Sequence, residues 1–143
     1  MKIGIANDHR GFELKQKLTI FLESMGYTII DYGTNSSKSV DYPLYAFKVG
    51  EAIKDKQIDF GILICGTGIG MSIACNKVKN VRCARVCSND DAYYARLHNN
   101  SNVIAISEGL ENYEEIIMTF LNTEFSKEEK HNRRVDLINK YDN

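Results

Sequence analysis

Phe60-Gly61-Ile62-Leu63-Ile64-Cys65 runs directly into Gly66-Thr67-Gly68-Ile69-Gly70, and the reading of this stretch decides the fold. Six uncharged residues read as a central strand covered on both faces. The glycine turn that closes them opens a helix expected to run through about Asn76. Working outward, residues 3–6 form a short strand upstream. Leu14, Leu18, Phe21, Leu22 and Met25 then recur on one helical face, with Gly26 placed as a helix-ending glycine. Residues 28–32 make a second strand. After the polar loop 33–39, Asp41-Tyr42-Pro43 starts a helix that reaches about Lys54. Downstream, residues 82–87 read as a fourth strand, 90–98 as a helix and 103–106 as a fifth strand. Ile116, Ile117, Phe120 and Leu121 mark the next helix, and a last helix occupies about 126–141 with Val135 and Ile138 as its apolar contacts. Strands alternating with helices predict an α/β three-layer α/β/α sandwich around a five-stranded parallel, Rossmann-like sheet, in one domain spanning 1–143.

Composition narrows the function. With 18 Lys and Arg against 19 Asp and Glu, the net charge of −1 lacks the basic excess of a nucleic-acid-binding domain. No apolar run approaches the ~20 residues of a membrane span. The start, Met1-Lys2-Ile3-Gly4-Ile5-Ala6-Asn7-Asp8, turns polar too early for a secretory signal, so a cytoplasmic protein is expected. The four cysteines form no C-x-x-C pair and are expected as thiols. Cys83 and Cys87, four apart on a strand, do not meet. The five glutamates of 107–125 read as a solvated helix face.

In a doubly wound sheet, ligands sit at the carboxyl ends of the strands. That rule directs attention to Asn7-Asp8-His9-Arg10, to residues 65–70, and to His98-Asn99-Asn100 before the fifth strand. The glycine turn exposes successive N–H groups able to cradle an anion. It lacks the Gly-Lys-Ser/Thr of a Walker A loop, and its third glycine falls one residue early for a dinucleotide fingerprint. A tight strand–helix crossing that demands small residues explains the glycines equally well. Cys65 adds a thiol among those N–H groups, suited to act as nucleophile or general base. A tyrosine-phosphatase loop would need arginine where Met71 stands, and a receiver domain would need aspartate at Cys65. Asp8-His9 suits a sugar hydroxyl and a phosphate, or simply a capping aspartate beside an exposed histidine. His98 at a helix end and the run His131-Asn132-Arg133-Arg134 have bland readings too, as a dipole partner and a basic face. Together these groups supply what moving a carbonyl between adjacent carbons requires: a base, donors for enediolate oxygens and a phosphate clamp.

Further segments carry a specific likeness. They are Gly11-Phe12, Asp31-Tyr32-Gly33-Thr34, Val40-Asp41-Tyr42-Pro43, Ala74-Cys75-Asn76-Lys77-Val78, Asn102-Val103 and Arg134-Val135. With Asp8-His9, His98-Asn99 and the long run 61–70, the chain resembles the type B ribose-5-phosphate isomerases. That family also holds allose-6-phosphate and galactose-6-phosphate isomerases. The resemblance implies an aldose–ketose isomerase acting on ribose 5-phosphate and ribulose 5-phosphate. A six-carbon phosphosugar, or a non-catalytic phosphosugar-binding subunit, are the alternatives. It implies Cys65 as the base between C2 and C1 with Thr67 beside it, and His98 assisting ring opening. Backbone amides of Gly66, Gly68, Ile69 and Gly70 would hold the enediolate oxygens. Asp8, Tyr42 and Asn99 would meet the sugar, and His9, Lys130 and Arg134 the phosphate end. It further implies a homodimer or dimer of dimers, with His98 and Asn99 crossing to the neighbouring chain and the last helix packing on the partner. No metal or organic cofactor is implied. Two departures bear on phosphate affinity and substrate identity. Where the family has arginine after the fifth strand, this chain reads Ser107-Glu108-Gly109-Leu110, and a C-terminal family arginine is Lys130, with Arg133 nearby.

Overall fold

The computed structural model describes residues 1–141. Its five parallel strands are β1 (Lys2–Asn7), β2 (Thr28–Asp31), β3 (Phe60–Cys65), β4 (Cys83–Arg85) and β5 (Val103–Ser107), in the order β2-β1-β3-β5-β4. The helices are α1 (Phe12–Ser24), α2 (Tyr42–Lys54), α3 (Ile69–Cys75), α4 (Asn89–Leu97), α5 (Tyr113–Asn122) and α6 (Glu129–Tyr141). The expected five-stranded parallel sandwich is present, with β3 central. β4 is shorter than the expected 82–87. It lies at the sheet edge, paired only with β5, and side chains take over at both its ends. Asn102 Oδ1 accepts the Arg82 N–H at 2.8 Å, and Asp91 Oδ2 accepts the Cys87 N–H at 2.9 Å. Ser88 then caps α4, accepting the Asp91 N–H.

Strand alternation sorts side chains by size across the sheet. Ile3, Ile5, Ile62, Ile64, Ile104 and Ile106 pack in one core with Leu14, Leu18 and Leu22 of α1 and Ile116, Ile117 and Phe120 of α5. The opposite face presents Ala6, Leu63, Cys65, Val103 and Ala105 to Ala46, Val49 and Ala52 of α2 and Met71 and Ala74 of α3. Small residues let that helix layer sit close: a Cβ on Gly61 would lie 2.5 Å from Val49 Cγ1. The α1 stripe differs at its end from the sequence expectation, since Met25 is 53% exposed.

Two buried polar contacts shape the edge where β1 and β2 end. Lys15, 3% exposed, aims its ammonium from α1 at Asp31 Oδ2 (3.0 Å), the Thr34 carbonyl (2.7 Å) and Asn35 Oδ1 (2.9 Å). Buried Asn7 donates through Nδ2 to the Asp8 and Thr34 carbonyls, and Gly33 packs so closely that a Cβ would overlap its carboxamide. Neither contact was legible in the hydrophobic pattern.

The last helix begins at Glu129, later than the expected 126. The Ser126 N–H is anchored to the Leu97 carbonyl instead. Val135 is buried as expected, but Ile138 is 47% exposed, and Leu137 and Tyr141 on the same helix are exposed too. The helix is held to α4 by the His131 imidazole, stacked on His98 with centroids 4.3 Å apart and planes 12° apart. Burial holds the His131 pKa below its usual 6.5, reinforced by His98, Lys130 and Arg134 and opposed by Glu128.

Two outcomes are expected. Lys15→Met keeps the aliphatic stem but removes the charge-assisted hydrogen bonds, so denaturant unfolding should show a loss of about 1.5–3 kcal/mol. For His131 the unfolded chain binds the proton more readily than the folded one. Its contribution to stability is therefore intact above 6.5 and is lost as the pH falls through the lower folded value. Thermal unfolding followed from about pH 7.5 to about pH 5.5 should show Tm falling, and falling less in His131→Phe, which keeps a stacking ring without the titration.

Candidate active site

β1, β3 and β5 end side by side, with Asn7 opposite Ile64 and Cys65 opposite Ser107 in register. The chain leaves β1 toward β2 on one side while β3 lies on the other, so a crevice opens between the β1 and β3 ends, where open α/β sheets take their ligands. Cys65 closes β3, 5% exposed, and its Sγ accepts the Gly68 N–H at 3.0 Å. That contact requires Gly68 at φ 79°, in the left-handed region. A Cβ there would also press to 3.1 Å of the Ala105 oxygen and the Ile106 carbonyl carbon.

The glycine turn is less open than the sequence suggests. The Gly68 N–H is committed to Cys65, and the Ile69 N–H to Thr67 Oγ1 at 3.1 Å. The turn's carbonyls are also held. Ser107 Oγ donates to Gly66 O at 2.8 Å, the Glu108 N–H to Cys65 O at 2.8 Å, and Arg85 Nε to Thr67 O at 2.9 Å. Sequence reading missed Ser107 and Arg85 because only the β3–β5 and β4–β5 pairings bring them here.

The neighbouring residues of the expected site gather at the same edge. Asp8 Oδ1 accepts the N–H groups of Arg10 (2.9 Å) and Gly11 (3.2 Å), so one carboxylate oxygen serves as the cap of a short 3₁₀ turn at His9–Gly11. His9 Nδ1 accepts the Val40 N–H at 3.3 Å. In the neutral ring its proton therefore sits on Nε2, available to donate. Tyr42, at the start of α2, lies over Gly70, where a Cβ would come within 2.5 Å of its Cζ. Ile69 stands 47% exposed beside it. Arg10 Nη2 meets Glu108 Oε1 at 2.8 Å, and its guanidinium lies over Gly66. Glu108's hydrogen bond and charge hold that guanidinium firmly protonated.

The remaining expected residues lie elsewhere. His98 follows α4, which leads into β5, so His98-Asn99-Asn100 sits at the amino end of the sheet and not at the carboxyl end. The reason is directional: a segment entering a parallel strand arrives at its amino end. Asn99 lines a cavity of about 250 Å³ with Asn76, Cys83, Ser101 and Ile138. Lys130 and Arg134 ride on α6 near His131, which stacks on His98. At ~3.3 Å per strand residue, a whole strand length separates these groups from Cys65 and His9. One chain thus carries two partial clusters at opposite sheet edges. Among the described residues, no three His, Cys, Asp or Glu side chains gather as metal ligands would, and no helix is long and apolar enough to cross a membrane.

Comparison with known proteins fits this geometry. Residues 3–138 match the model of the Ribose/Galactose Isomerase family. Ribose-5-phosphate isomerase B of Escherichia coli K12 is 42% identical over 141 residues, covering 96% of this chain and 93% of that protein. The galactose-6-phosphate isomerase subunit LacB of Clostridium acetobutylicum is 36% identical over 138 residues, covering 94% and 79%. A solved structure of ribose-5-phosphate isomerase B from Clostridium thermocellum superposes with a TM-score of 0.95 at 44% identity, covering 99% of this chain and 97% of that one. Fold, glycine turn and full-length similarity agree: the chain is an enzyme of the ribose/galactose isomerase family.

Proposed function

We propose that this enzyme interconverts ribose 5-phosphate and ribulose 5-phosphate, with Cys65 as the base. The observation that carries the reading is the Cys65 sulfur, fixed at a strand end by the Gly68 N–H in the tight glycine turn that closes β3. As a thiolate, Cys65 removes the proton from C2 of the open-chain aldose. Charge then develops on the C1 oxygen, where backbone N–H groups stabilise it. A proton moves from the C2 oxygen to the C1 oxygen, and the thiol returns its proton to C1, yielding the ketose with nothing gained or lost. Thr67 and Tyr42 border this space. Asp8 offers its second carboxylate oxygen to sugar hydroxyls, and His9 Nε2 donates to the phosphate.

His98, Asn99, Lys130 and Arg134 enter this reading from a second copy of the chain, because one copy holds them at the opposite edge of its sheet. The exposed Leu137, Ile138 and Tyr141 of α6 support such a partner. In that assembly His98 opens the furanose ring, and Arg134 and Lys130 close on the phosphate with His9. The four cysteines are free, which suits a cytoplasmic setting. A second reading, a six-carbon phosphosugar, is favoured by the similarity to the LacB subunit. Retention of Cys65, Thr67 and His98 argues against a purely binding subunit.

Purified chain assayed side by side on ribose, allose and galactose phosphates distinguishes these readings, and isomerisation of none of them would refute the isomerase assignment. Cys65→Ala should still bind the phosphosugar but lose incorporation of solvent deuterium at C2; incorporation at the wild-type rate would remove Cys65 from the base role. His98→Asn should slow turnover of the cyclic aldose more than that of the ketose, within the ~10²–10⁴-fold range of acid–base assistance. Equal losses in both directions would count against ring opening.

A further inference from the structure

We propose that Arg10 is a phosphate-gripping residue of this site, with Glu108 as its built-in competitor; the proposal rests on the phosphosugar reading above. Arg10 follows His9 in the short turn after β1, and its backbone N–H is pinned to Asp8 Oδ1 at 2.9 Å. Its guanidinium crosses to the neighbouring strand end and lies flat enough over Gly66 that a Cβ there would come within 3.2 Å of Nη1 and 3.4 Å of Nε. Glycine leaves room for this approach, and a Cβ would push the guanidinium away by a few tenths of an ångström. Across the mouth, Nη2 meets Glu108 Oε1 at 2.8 Å.

This contact uses one of the five guanidinium N–H donors. Those of Nε and Nη1 have no acceptor among the described residues. The pair is exposed, 57% for Arg10 and 38% for Glu108, and an ion pair in such a setting adds little to stability. Its position is the informative feature. The charge sits over the loop that follows Cys65, on the residue that follows His9 in the chain. The β5 loop itself, Ser107-Glu108-Gly109-Leu110, brings no cation to this mouth. A phosphate ester carries more charge than a carboxylate and presents several oxygens to a planar guanidinium fork. It can therefore displace or share the contact with Glu108, whose own negative charge opposes its entry. Glu108 thus tunes affinity downward, while keeping Arg10 aimed across the mouth.

The test compares Arg10→Gln, Arg10→Lys and Glu108→Gln with the wild type. Steady-state kinetics on the phosphosugar that turns over are read together with calorimetric binding of inorganic phosphate. Arg10→Gln should raise KM and the phosphate Kd by about ten- to a hundredfold, with kcat changed much less. Arg10→Lys should recover part of that loss, since it restores charge without the fork. Glu108→Gln should move the other way, tightening phosphate by roughly two- to tenfold. Unchanged phosphate and substrate affinity in Arg10→Gln would overturn the proposal. So would weakening by Glu108→Gln equal to that of Arg10→Gln, which marks a structural latch between loops. Should the wild type isomerise no phosphosugar, the isomerase reading fails, and phosphate calorimetry judges Arg10 separately. Wild-type binding lost in Arg10→Gln upholds its role, and absence of binding in both refutes it.

Discussion

The hydrogen bond from the Gly68 N–H to the Cys65 sulfur is the constraint around which the carboxyl edge is built. It forces the chain to reverse within three residues of a buried strand, which only a left-handed residue at position 68 permits. The reversal presses the turn against the end of β5, leaving no space for a Cβ. It also sends α3 back along the sheet with its first turn above the thiol. The contacts from Ser107, Glu108 and Arg85 then hold the turn's carbonyls in place. The sulfur is therefore held in place by backbone and neighbouring strands, with the Arg10 guanidinium over Gly66 as the charged group nearby.

The uneven sheet serves the same end. Isoleucines on one face build a thick core under α1 and α5, while alanine, glycine and valine on the other let α2 and α3 sit low. Low helices bring Tyr42 onto Gly70 and close one wall of the crevice. The opposite wall is the His9–Gly11 turn, which Asp8 caps and which His9 ties to the loop before α2. The buried Lys15 secures the chain after β2. The crevice thus has walls from three loops, each fastened by its own polar contacts.

The stacked His98 and His131 form a second organised cluster, a strand length away. Its location follows from chain direction, and no adjustment within one chain could carry it to Cys65. A phosphosugar site using both clusters requires a second copy whose sheet runs antiparallel, so that the amino end of one faces the carboxyl end of the other, which is the physical basis for the shared-site proposal. At the mouth, Arg10 reaches over Gly66 to Glu108 and brings a cation to an edge whose β5 loop has none.

Strand and helix order was legible from the sequence alone because apolar periodicity reports which faces are buried, and the run from Phe60 to Gly70 marks a central strand ending in a tight turn. Cys65, Thr67 and the glycines were legible because they lie together in the chain. His98 does not lie at the carboxyl end as expected: a segment that precedes a parallel strand meets its amino end, so chain order itself places His98 there. The commitment of Asp8 to capping, the engaged amides of Gly68 and Ile69, and the burial of Lys15 are decided by packing among distant segments. Arg10's partner is decided the same way: Glu108 lies 98 residues onward, and only the parallel register that sets β1, β3 and β5 side by side brings the two charges to one mouth.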